Sequence, residues 1–131
     1  MYDYFKHKYS NFKFIGLDIS EEMINEALKK HEQDAASQWL TTITDADKFD
    51  FVIASGIFNV RLENTQEDWL HSTKGFSFNV LTKYSDKEFM KDYLYYADPL
   101  FLFDYCKTNF SKNVALLHDY NLYEFTLIVR K

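Results

Sequence analysis

Phe14 to Asp18 is an apolar run closed by an acid, and the segment behind it carries apolar residues at helical spacing. Met23, Ile24, Ala27 and Leu28 recur at i, i+1, i+4 and i+5, which places them on one face of a helix running to about His31. Ser20 is positioned to cap that helix. Glu21 and Glu22 lie in its first turn, with Lys29, Lys30 and His31 in its last. Charges of these signs complement the helix dipole at both ends. The pattern therefore predicts a strand that turns straight into a capped helix. Upstream, Tyr2, Phe5 and Tyr9 recur at near-helical spacing, so Met1 to Tyr9 reads as a helix that Asn11 ends.

Further along, Ser37 to Ile43 is a weaker strand candidate. Phe49 to Ala54 is a strong one, apolar throughout except at Asp50, and it ends at Ser55-Gly56. Continuous apolar runs suit parallel strands covered on both faces. Thr65 to His71 leaves room only for a short helix before Gly75, and Phe76 to Thr82 is the next strand. Ser85-Asp86-Lys87-Glu88 has the form of a capping box and predicts a helix from about Asp86. Asp98-Pro99 predicts another, with Asp as cap and Pro at the first helical position, carrying Leu100, Phe103, Cys106, Lys107 and Phe110. Val114 to His118 and Tyr123 to Val129 close the chain as strands. Only Asp119 to Leu122 separate them, so they should pair antiparallel. Strands alternating with helices, then a terminal hairpin, predict a three-layer α/β sheet in one domain over residues 1–131.

Composition narrows the class. A chain of 131 residues can bury a substantial core, and 47% hydrophobic with 19% aromatic residues excludes a disordered chain. A net charge of -5 argues against a broad nucleic-acid surface. The close basic pairs, Lys29-Lys30 and Arg130-Lys131, fall at the ends of elements. Cys106 is the only cysteine, so no intrachain disulfide forms, and its apolar helix face makes it a core thiol. No Cys/His cluster has zinc spacing, and no metal is expected. No apolar run reaches transmembrane length and no signal peptide opens the sequence, so the expected setting is cytoplasmic with no membrane partner. Gly16, Gly56 and Gly75 are isolated, which leaves neither a P-loop nor a dinucleotide fingerprint.

Asp18 is the leading candidate for chemistry. It ends a parallel strand, where open α/β sheets bind ligands, and an ionised carboxylate can accept bonds from two vicinal hydroxyls. A loop aspartate that accepts bonds from nearby backbone N–H groups fits its position equally well. Ser55-Gly56-Ile57-Phe58-Asn59 follows the strongest strand, and its Gly permits close approach of a ligand; an ordinary turn is the plainer reading. Tyr93-Leu94-Tyr95-Tyr96 offers an acceptor-pocket lining or, more commonly, packing on a helix surface. His118-Asp119 has no nucleophile near it in sequence, and a His at a strand end is usually structural.

The run Phe14-Ile-Gly-Leu-Asp-Ile-Ser-Glu-Glu-Met-Ile-Asn-Glu-Ala27 resembles the second strand and following helix of class I S-adenosylmethionine-dependent methyltransferases. Lys48-Phe-Asp-Phe-Val-Ile-Ala-Ser-Gly56 resembles their fourth strand. Leu122-Tyr-Glu-Phe-Thr-Leu-Ile-Val129 is similar to their seventh, the antiparallel strand inserted beside the sixth. The resemblance implies a Rossmann-like three-layer sandwich, mostly parallel with a C-terminal antiparallel strand, and S-adenosylmethionine as cofactor. By the same resemblance Asp18 binds the ribose hydroxyls, Ile19 packs on the adenine, and Ser55 and Gly56 lie near the methionine end and the acceptor. Phe58, Asn59, Tyr95 and Tyr96 are then the candidates for a substrate pocket.

The implied activity is methyl transfer to a small-molecule or other non-basic acceptor. The family's first strand and its glycine-rich loop have no counterpart in these residues. Its acid after the third strand has no nearer match than Asp45 and Asp47. An open sheet region is expected in consequence, and with it a homo-oligomer. The alternative function is a non-catalytic fragment or pseudoenzyme that keeps the fold and acts through association.

Overall fold

The computed structural model describes residues 1–31, 34–43, 48–56 and 73–131. The chain divides into two compact units, Met1–Thr44 and Asp45–Lys131. Among the described residues no helix is long and apolar enough to cross a membrane.

The first unit contains α1 (Tyr2–Lys8), β1 (Phe14–Leu17), α2 (Glu21–His31) and β2 (Ser37–Leu40). β1 and β2 pair in parallel, from Phe14 opposite Ser37 to Leu17 opposite Leu40. Their core is an aromatic knot around the buried Tyr2. Its ring centroid lies 4.8 Å from that of His31, 5.1 Å from Phe14 and 5.9 Å from Trp39. Gly16 is bare because Trp39 needs the space. A Cβ on Gly16 would fall 2.3 Å from the indole. Lys6 pairs with Asp34, and Lys30 with Asp3, which ties α1 to α2 and to the turn beyond it. The expected apolar face of α2 is only partly used: Ile24 is buried, whereas Met23 and Leu28 are exposed. β2 also stops at Leu40, short of the predicted Ile43.

The second unit contains β3 (Phe51–Ser55), β4 (Gly75–Leu81), α3 (Pro99–Asn109), β5 (Asn113–Leu117) and β6 (Glu124–Arg130). The strand order is β3-β4-β6-β5. β3 and β4 are parallel, and β6 runs antiparallel to both β4 and β5, so among the described residues it is the one reversed strand of this sheet. This is the mixed sheet with an inserted antiparallel strand that the sequence pattern and the resemblance lead one to expect. Along β6 burial alternates with period two: Phe125, Leu127 and Val129 are buried, Thr126 and Ile128 half-buried. With Phe76, Val80, Ala97 and Cys106 they form the core, against which Leu102, Phe103 and Phe110 of the α3 segment pack. Burying each large apolar side chain of this kind stabilises by about 1.5–3 kcal/mol. α3 begins as its sequence dictates. The Asp98 carboxylate accepts from the backbone N–H groups of Leu100 and Phe101 at 3.0 and 3.4 Å, with Pro99 at the first helical position.

One expected helix does not form. Ser85 to Glu88 has the letters of a capping box, yet the segment makes only a single 3-10 turn at Lys87–Phe89. A cap works when its side-chain oxygen accepts from a backbone N–H of the first turn. The Ser85 hydroxyl is buried and instead donates backward to the Thr82 carbonyl, and the Asp86 carboxylate is engaged by the Tyr123 hydroxyl. The chain is extended again at Met90. Tyr93 to Tyr96 therefore lie on no helix surface. They enter a strip that pairs beside the end of β4, where the Ala97 N–H donates to the Leu81 carbonyl and the Lys83 N–H to the Ala97 carbonyl, both at 2.8 Å. The short helix expected over Thr65 to His71 lies outside the described residues, as do Asp45 and Asp47.

Candidate functional site

The sequence-selected residues fall into two groups, one in each unit. In the first unit the Asp18 N–H donates to the Leu40 carbonyl at 3.2 Å, which carries the β1–β2 ladder one residue past β1. Its side chain then closes a short turn, with Oδ1 accepting from the Ser20 N–H at 2.9 Å. Ser20 in turn caps α2, its hydroxyl accepting from the Met23 N–H at 3.3 Å. One carboxylate oxygen is thus spent on the turn. Among the described residues the other, Oδ2, has no hydrogen-bond partner. Ile19, next to it, is 88% exposed. The strand end presents an available carboxylate oxygen beside a bare branched apolar side chain.

In the second unit the carboxyl ends of β3, β4 and β5 share a rim with the amino end of β6. Ser55 stands opposite Asn79 of β4, which stands opposite Thr126 of β6. Gly56 follows with φ of 74°, a backbone region that disfavours every residue with a Cβ. Its N–H donates to Asn79 Oδ1 at 2.9 Å, and Asn79 Nδ2 donates to Glu124 Oε2 at 2.5 Å. Beside this rim Tyr95 is exposed. Tyr96 is half-buried, with its hydroxyl accepting from the Lys91 N–H at 2.9 Å, so it serves its own turn. His118 is exposed and packs with Tyr84 and edge-on to Phe125, with ring centroids 6.2 and 5.9 Å apart.

Beside this rim Lys83 and Asp98 form an ion pair. The Asp98 carboxyl is held below its ordinary range by Lys83, whose own ammonium is pushed up by Asp98. Its hydrogen bond to Asp86 pushes the Tyr123 phenol upward. Among the described residues no group of three or more His, Cys, Asp or Glu side chains could hold a metal ion. Phe58 and Asn59 lie outside the described residues. Asn79 and Glu124 did not stand out in the sequence. The only sign of them is a polar residue set between Phe78 and Val80 inside an otherwise apolar strand, and an acid at the mouth of another.

A parallel strand that ends in a part-free acid and turns into a capped helix, together with a sheet closed by an inserted antiparallel strand, defines a class of protein. The chain belongs to the class I S-adenosylmethionine-dependent methyltransferase family. It is 44% identical, over an alignment of 141 positions, to the protein named "Putative methyltransferase Rv1506c" of Mycobacterium tuberculosis (strain ATCC 25618 / H37Rv), a match covering 98% of this chain and 85% of that protein. It also matches a chain in the solved "Structure of the Pnkp1/Rnl/Hen1 RNA repair complex" with a TM-score of 0.66 and 13% identity. That match covers 99% of this chain and 35% of the other, and at such identity the likeness is one of fold. No family model matches the chain.

Proposed function

We propose that the protein binds S-adenosylmethionine and transfers its methyl group to a small-molecule or other non-basic acceptor. The observation that carries this is the end of β1, where Asp18 keeps one oxygen without a partner among the described residues and Ile19 is almost wholly exposed. Those two side chains fit the nucleoside part of the cofactor. The carboxylate accepts from the ribose hydroxyls, and the isoleucine offers an apolar surface to the adenine. On the second unit, taken by itself, Ser55, Gly56 and Tyr95 are the described candidates for ligand contact. When bound, the cofactor supplies an electrophilic methyl carried on a sulfonium. What the protein would add is position and exclusion of water, with the methyl's bond to sulfur exchanged for one to the acceptor and S-adenosylhomocysteine as the leaving group. The net charge of -5 favours an acceptor that is not a polyanion.

Calorimetric titration of S-adenosylhomocysteine into the whole chain tests the proposal. Binding in the micromolar range is expected. Asp18→Asn keeps an oxygen for the Ser20 N–H but removes the charge, and Asp18→Ala removes both. Loss of charge-assisted bonds is worth about 1.5–3 kcal/mol, or roughly 10- to 100-fold in affinity. No heat at millimolar ligand would sink the methyl-transfer reading.

A second reading, association without catalysis, draws on β3. Among the described residues β3 has a hydrogen-bonded strand on one side only, and Phe51 and Ile53 on it are 68% and 48% exposed. An open apolar strand edge is a template for a second copy.

A further inference from the structure

Asn79 reaches from β4 to the corner at the end of β3. A primary amide can turn either its oxygen or its NH2 toward a neighbour, and only the oxygen can satisfy the Gly56 N–H. Glu124 decides the sense. A carboxylate only accepts, so with Oε2 at 2.5 Å it takes the NH2 of Asn79 and leaves the oxygen for Gly56, at 2.9 Å. An Asn inside a strand, flanked by Phe78 and the buried Val80, is an unfavourable choice for packing alone.

Gly56 stands at a φ of 74° with its N–H held by Asn79. Its N–H is thereby used up, so the corner offers a ligand clearance rather than an amide donor. We propose that Asn79 is a positioning residue for the methyl-transfer site. Its orientation is set by Glu124, and it acts through Gly56 to hold open the end of β3 for a methyl-transfer ligand. This rests on the methyl-transfer reading above.

The sequence makes the test direct. The chain has three glycines, so labelling with [15N]glycine gives three backbone amide signals, and loss of one in Gly56→Ala identifies Gly56. In Asn79→Leu the Gly56 amide should exchange with solvent at least about fivefold faster, the equivalent of one ordinary hydrogen bond. Gly75, at the far end of the same strand, should be unchanged and so reports intact folding. Glu124→Gln retains an acceptor for the Asn79 NH2 and should keep Gly56 protected, whereas Glu124→Leu should not.

Titration with S-adenosylhomocysteine should shift the Gly56 signal in the wild type and bind at least about fivefold more weakly to Asn79→Leu. Unchanged Gly56 exchange in Asn79→Leu would overturn the relay. Faster exchange with unchanged ligand affinity, or a Gly56 signal that stays still on binding, would overturn the positioning role while leaving methyl transfer standing. Absence of binding to the wild type would remove the methyl-transfer reading, and the positioning role with it, while the exchange rates still reported on the relay itself.

Discussion

Gly16 shows how one missing side chain organises a unit. Trp39 lies where a Cβ would stand, 2.3 Å from the indole, so Gly16→Ala must displace a ring that also packs on Tyr2 and His31. Overpacking of this kind costs about 1–3 kcal/mol. Chemical denaturation should show that loss, and most of it should disappear when Trp39→Leu is added. A full penalty in the double variant would mean that the indole is not its source. Asp34 governs the same unit through charge. Lys6 is the main cause, with Tyr2 and the Ala36 N–H adding to it, and together they hold the carboxyl down at about 2. A depressed carboxyl favours the charged form in the folded state. Its stabilisation is present above the unfolded value near 4 and drains away as pH falls through about 2. Denaturation midpoints at pH 5 and pH 2.5 should therefore differ less in Asp34→Asn than in the wild type, and high salt should shrink the gap because Lys6 is exposed. Equal slopes in the two proteins would remove Asp34 from the acid limb.

Among the elements, α3 gives the cleanest test of local rules. Asp98 accepts two backbone N–H groups and pairs with Lys83, so Asp98→Ala should cost about 1 kcal/mol through the lost cap, while Asp98→Asn should recover most of it. Equal thermal stability of the alanine variant and the wild type would show the cap to be idle. That helix, the strand at Phe51–Ser55 and the closing antiparallel pair were legible because each is signalled within a few residues: Asp-Pro at a helix start, an apolar run ending at Ser-Gly, a short link between two strands. Ser85 to Glu88 misled for a physical reason. Its letters specify a helix start only if the hydroxyl faces forward, and the direction it takes is set by Thr82, buried at the end of β4. The candidate residues divide in the same way. Asp18 and Ile19 could be picked out because they end a strand and start a helix in sequence. Asn79 and Glu124 meet Gly56 only across β4 and β6, and a contact between strands so far apart leaves no local trace.

At the scale of the whole molecule, the edge of β3 sets the expected behaviour in solution. With Phe51 and Ile53 exposed on a strand paired on one side among the described residues, the protein should gain mass with concentration in light scattering. Ile53→Lys should return it toward the monomer. A wild type that stays monomeric at high concentration would dispose of the association reading. β6 has a different consequence, one of timing. It lies between β4 and β5, pairing Gly75 with Arg130 on one side and Asn113 with the same Arg130 on the other. Both neighbours leave the ribosome before it does. Until β6 emerges, β4 and β5 have no strand to join them, and Phe76 and Val80 have no Phe125, Leu127 or Val129 to pack against. Pairings between such distant segments form slowly, and exposed edges in the meantime are open to other chains. The nascent protein must therefore cross a vulnerable interval that ends only when its most deeply buried strand is synthesised.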